Sequence, residues 1–185
     1  WYKEPFQTTD KNADTKTVLA GLATGAILAV VSFGLYALAA QPTFLSVESP
    51  NILTIFHFLS AAATSVGTTV LQVYVFRVIR RHSDWKKAVL TSALVVSLFS
   101  ILAMPYFSLI PVLLQLLLAL LFSLFYAMTE SLGGTIALKL SKELLVGPVL
   151  GLSYGYHPMF DALVQVNIGE VPTIWNGGNF AIDGA

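Results

Sequence analysis

Four long stretches of this chain carry no charge, and that constrains its fold more than any other feature. Thr17 to Ala40 is one such run of 24 residues. Asn51 to Phe76 is a second, Ala88 to Thr129 a third that Pro105 and Pro111 divide, and Leu144 to Phe160 a fourth. A helix needs about 20 apolar residues to cross a hydrocarbon core of about 30 Å. The chain is 56% hydrophobic and 11% charged, with a mean hydropathy of +0.75. A soluble domain is about 25% charged, and a core of 185 residues cannot hide this much apolar surface from water. The fold class is therefore all-α, an integral membrane bundle of about five transmembrane helices.

The expected organisation is a polar tail over 1–16, a bundle over 17–160, and an outer segment over 161–185. Spans are expected at 17–40, 51–78, 88–104, 111–130 and 144–160. Pro42 and Pro50 bound the first loop, and Pro111 suits the first turn of a helix. The segment from Glu130 to Glu143, with Gly133 and Gly134 adjacent, reads as an interfacial connector. The fifth span is at the short limit, so it requires snorkelling by Lys142, a thinned bilayer or a re-entrant path. Pro148 would start or kink it. Pro158 to Ile168 reads as a short amphipathic surface helix, with Trp175 beyond it at the membrane surface. The chain starts at Trp1 without a basic, apolar leader and ends at Ala185 without a stop pattern, which leaves room for a sixth helix.

Charge gives an independent check on the threading. With five alternating spans, the ten Lys and Arg fall in the N-terminal tail (Lys3, Lys11, Lys16), the second loop (Arg77, Arg80, Arg81, Lys86, Lys87) and the fourth connector (Lys139, Lys142). All of these share one side. The positive-inside rule then sets the N-terminus in the cytoplasm, or the equivalent matrix or stroma. Arg77, Arg80, Arg81, Lys86 and Lys87 are the expected contacts for anionic lipid headgroups. A short basic hairpin with Trp85 as its one aromatic is no nucleic-acid module.

Apolar burial does not drive helix association in lipid, so small residues and interhelical hydrogen bonds must. Three rows at four-residue spacing meet this need: Gly21, Gly25 and Ala29; Ala119, Ser123 and Ala127, continued by Ser131 and Thr135; and Gly147, Gly151 and Gly155. Each row forms a groove that another backbone can enter, in this chain or in a partner subunit.

Few residues carry chemistry. Glu130 reads as an interfacial carboxylate near Lys139 or Arg81, with a proton or cation site beside Gly133 and Gly134 as the alternative. His57 and His157 are expected at one depth on the outer side, with Asp161 near His157. That is a geometry for a haem, pigment or metal ligand pair, against a plain role as core or headgroup histidines. With no cysteine in the chain, thiolate chemistry is excluded. Phosphate loops, paired-His zinc helices and nucleophile elbows are absent too, so the chain is not an enzyme on its own.

Three readings follow. The first is a non-catalytic membrane subunit packing against other membrane subunits. The second is a small-solute transport component, suggested by the polar second helix (Ser60, Thr64, Ser65, Thr68, Thr69, Gln72) and the interrupted fifth. The third is a haem- or pigment-binding anchor using His57 and His157.

Overall fold

The computed structural model describes residues 11–40, 43–47, 49–102, 109–150 and 162–167. Five α-helices follow one another: α1 Lys11–Ala40, α2 Ile52–Arg80, α3 Trp85–Leu102, α4 Leu109–Thr129 and α5 Leu132–Leu144. The first four are each long and apolar enough to cross a membrane. A π-helical turn, Leu145–Val149, extends α5. A short antiparallel ladder joins β1 (Thr43–Val47) to β2 (Val164–Asn167). The fold is thus helical except for this ladder, which an all-α reading did not anticipate.

Local chemistry sets the helix ends. Asn51 caps α2, accepting from the Thr54 amide at 2.9 Å while the Thr54 hydroxyl receives the Asn51 amide, a reciprocal box that satisfies two orphan donors. Asp84 accepts from the Lys87 amide at 2.8 Å at the start of α3. That bond, with the charges of Lys87 and Lys86, holds its carboxyl below the usual Asp value. The four-residue turn after α2 exposes Arg80, Arg81, Lys86 and Lys87. Glu130 sits between α4 and α5 with φ at 51°, the left-handed conformation that reverses a helix end.

The packing runs up and down. Ser92 and Ser97 of α3 meet Ser123 and Gln115 of α4 in antiparallel order. Gln72 and Arg77 of α2 meet Ser123 and Tyr126 of α4 in parallel order. Thr17, Gly21 and Gly25 of α1 lie along Gly134, Leu138 and Ser141 of α5, also in parallel. The starts of α1, α3 and α5 and the ends of α2 and α4 therefore share one end of the bundle.

Polarity is inverted relative to a water-soluble protein. The buried faces include Ser65, Thr69, Gln72, Ser92, Ser97, Ser123 and Thr135, whereas Ile55, Phe56, Leu59, Leu90, Leu94, Leu98, Leu113 and Leu117 face outward. Water would penalise both halves of that arrangement. Hydrocarbon favours it, because polar groups must find partners inside the bundle. A smaller apolar core of Val73, Phe76, Ala88, Val89 and Tyr126 closes the end beside the basic turn.

The region from 130 onward departs from expectation. Leu132–Leu144 is a packed helix, not an interfacial connector, so the fifth element begins twelve residues before the span expected at 144–160. The helix runs through Gly133 and Gly134. Gly134 is the surface on which α1 lies, since a Cβ there would meet Thr17 at 2.6 Å. Val164–Asn167 is a strand where a surface helix was expected, its backbone groups taken up by β1. Residues 151–161 lie outside the described residues.

Candidate functional site

Three ionisable side chains project from one face of α5 into the bundle. Lys139 is 7% exposed, Lys142 2% and Glu143 4%. With Val146 they follow the i, i+3, i+4, i+7 spacing of a single helix face. The lysines are therefore inside the bundle, and not all ten positive charges lie on one outer surface. The remaining basic residues of the described helices and turn cluster at the shared end where α1 begins.

Glu143 accepts a hydrogen bond from the Ser65 hydroxyl of α2. Its other oxygen lies 3.8 Å from the Lys139 ammonium. Lys139 donates to the Thr68 hydroxyl, and its ammonium lies 5.6 Å from the centre of the Phe122 ring. Helix geometry sets the depth of this cluster. Ser65 is about 20 Å from either end of α2, and Glu143 about 18 Å along α5 from Ser131. Both place the charges near the middle of the bundle's length.

A narrow cleft opens beside the cluster. Lys139, Lys142, Glu143, Ser100, Gln115 and Phe122 contribute to its lining, with room for about one water. Next to it a neutral network holds α2, α3 and α4 in register. The Gln72 amide donates to the Ala119 carbonyl at 2.7 Å and to Ser123 at 2.6 Å, and Ser123 meets Ser92 at 2.9 Å. Gln72 Oε1 is buried without a partner.

The backbone of α5 is shaped to present these groups. Ser131 caps the helix by accepting from the Gly134 amide at 3.0 Å, and it donates to Asp14 of α1 at 2.6 Å. Pro148 has no amide to offer the preceding turn, and its ring would crowd the carbonyl four residues back. The chain widens there into the π-helical turn, and the Pro148 carbonyl accepts instead from the Leu163 amide at 2.9 Å. Such widened turns recur at functional sites.

The residues singled out from the sequence fall into separate places. Gly21, Gly25 and Ala29 are buried along α1, and the first two press on the α5 backbone. Ala119 and Ser123 are buried against α2, while Ala127 packs on the apolar core. Gly147 is buried in the π turn. Gly151, Gly155, His157 and Asp161 lie outside the described residues. His57 is half-buried, near the start of α2. Glu130 is exposed at the α4–α5 turn, away from the buried cluster. Arg77 is half-buried and donates to the Tyr126 hydroxyl, so it serves the fold as well as the surface. Among the described residues, no group of three or more His, Cys, Asp or Glu is placed to hold a metal.

Lys139, Lys142 and Glu143 are the site residues that sequence reasoning missed. The signal was their spacing on one helix face, masked by reading Glu130 to Glu143 as an interfacial connector. Compared with protein-family models, with curated proteins and with solved structures, the chain matches none of them.

Proposed function

We propose that this chain is an integral membrane protein with five crossings and its N-terminus on the cytoplasmic (or matrix or stromal) side. In this reading it is a transport component that passes a small polar or charged solute through its bundle. The inverted polarity and four long apolar helices support the membrane location. The fifth crossing is α5 with its π turn, short and polar because it faces its neighbours instead of lipid.

One observation carries the transport reading: the Lys139–Glu143 pair, hydrogen-bonded to Ser65 and Thr68, buried near mid-length. Placing one charged side chain at mid-bilayer costs about 2.5–3.5 kcal/mol on insertion scales, and such groups mark solute or ion pathways. A bundle needing only to hold together would do so with the neutral Gln72, Ser92 and Ser123 network.

The subunit reading loses its main support, because the small-residue row of α1 is already filled by α5 of the same chain. A pigment or haem role draws no support from the half-buried His57.

The test is reconstitution of the full chain in liposomes, with flux measured for protons, alkali cations, halides and small organic solutes. At least one flux should exceed that of protein-free vesicles and fall tenfold or more in Glu143→Gln. No flux above background for any of them, together with fixed partners co-purifying from the native membrane, would return the chain to the role of a packing subunit.

A further inference from the structure

A buried pair of opposite charges has two neutral forms. In one, an ammonium faces a carboxylate; in the other a proton has crossed, and an amine faces a carboxylic acid. Lys139 and Glu143 stand 3.8 Å apart, so a small side-chain movement brings them to hydrogen-bond distance. Neither form needs a counter-ion, and in a low-dielectric interior that favours exchange of a proton over exchange of any other ion.

Their partners on α2 suit both forms. Ser65 donates to Glu143 and Thr68 accepts from Lys139, and a hydroxyl can give or take a hydrogen bond. Among the described residues, Lys142 of α5 is the further charged group beside the pair. On α2, His57 lies about 12 Å before Ser65 and Arg77 about 13 Å beyond Thr68. From Ala88 onward α3 carries no ionisable group, and α4 carries Tyr126, which is bonded to Arg77. On α1, Asp14 is bonded to Ser131 at the far end, with Lys16 half a turn away.

Polar groups flank the pair in both directions along the bundle. Toward the basic turn, Gln72 lies one turn beyond Thr68 and is bonded to Ser123, which meets Ser92. The buried Gln72 Oε1 adds an acceptor without a partner. Toward the other end, Ser97 donates to the Gln115 carbonyl at 3.4 Å, and Gln115 lines the cleft with Lys139 and Glu143.

We infer that the Lys139–Glu143 pair is a proton-exchange site, with the proton as the species this bundle carries. This rests on the transport reading and gives it a substrate. A proton arriving from one side binds a Glu143 carboxylate oxygen and forms an O–H bond. The Lys139 ammonium, no longer facing a negative charge, gives one N–H proton to water on the other side. The carboxyl proton then crosses to the lone pair of the Lys139 amine, which restores carboxylate and ammonium. One proton enters and one leaves.

The experiment reads protonation and flux on the full chain in lipid vesicles. Infrared difference spectra between pH values should show a carboxylic acid carbonyl band that shifts in heavy water and is lost in Glu143→Gln. It should persist in Glu143→Asp and move in Ser65→Ala, which lacks the hydroxyl bonded to that carboxyl. Under a potassium diffusion potential set with valinomycin, a trapped pH dye should report proton influx, unchanged when gluconate replaces chloride. That influx should fall tenfold or more in Glu143→Gln and stay full in Lys87→Gln, on the exposed turn. Should Glu143→Gln fail to fold, the Ser65→Ala band shift decides the matter. An acid band unaffected by either substitution, or proton influx undiminished in Glu143→Gln, overturns the site. Glu143-dependent flux of another solute, with neither a Glu143 acid band nor proton influx, sinks the proton assignment and leaves the transport reading standing. A Glu143 acid band without flux of any solute keeps the proton site and sinks the transport reading.

Discussion

At the scale of single residues, the glycines divide by what surrounds them. At Gly25 an added Cβ would press on the Leu138 carbonyl and come within 2.9 Å of the Ser141 Cβ, whereas at Gly67 nothing lies within 4 Å. Backbone cannot yield as a flexible side chain can. Gly25→Leu should therefore separate α1 from α5, with a large loss of folded yield in detergent. Gly67→Ala should be neutral or stabilise by up to about 1 kcal/mol through helix propensity. Equal melting temperatures for the two variants would refute the close contact. The four-residue spacing of Gly21, Gly25 and Ala29 was legible from the sequence, because close approach requires small side chains at a helical repeat. Its occupant was not, since spacing describes a groove and says nothing of what enters it.

At the scale of elements, α5 is where structure adds most to the sequence. The long helices are legible because an uncharged run of 20 or more residues has few alternatives. A 13-residue helix carrying Gly133, Gly134, Lys139, Lys142 and Glu143 resembles a polar loop in composition, and only its neighbours explain its burial. Ser65 and Thr68, one turn apart on the polar face of α2, were legible as polar, but their hydrogen bonds to Glu143 and Lys139 could not be read from local sequence. The pair also makes a prediction about purpose. Removing one partner from a buried ion pair costs about 3–5 kcal/mol, while replacing both with apolar groups is often neutral or better. Lys139→Met should destabilise strongly. The double variant Lys139→Met with Glu143→Leu should recover most of that stability in a double-mutant cycle, yet remain without flux. A double variant that folds and still transports would make the pair a structural relic.

At the scale of the whole molecule, the threading can be tested directly because the chain holds no cysteine. His82→Cys lies in the exposed basic turn, and Val47→Cys lies at the end of β1, where Val47 is 81% exposed. A membrane-impermeant thiol reagent should label these two sites from opposite compartments of oriented vesicles. Labelling of both from the same side would dismantle the five-crossing arrangement. Positive charge remains a guide to orientation for the tail and the basic turn. It misled at Lys139 and Lys142, because a charge count along the chain assumes that every charge between apolar runs is in water.

The β1–β2 ladder has a mechanical consequence. It ties the link between α1 and α2 to the chain that follows α5, while at the opposite end Asp14 holds Ser131. With glycine contacts along their length, α1 and α5 are thus pinned top, middle and bottom into one stiff strut. The other three helices are stitched together by Gln72, Ser92 and Ser123 into a block. The seam between strut and block is where Lys139 and Glu143 meet Ser65 and Thr68. In the proposed transport reading, that seam is where strut and block would part, with the ladder limiting the separation.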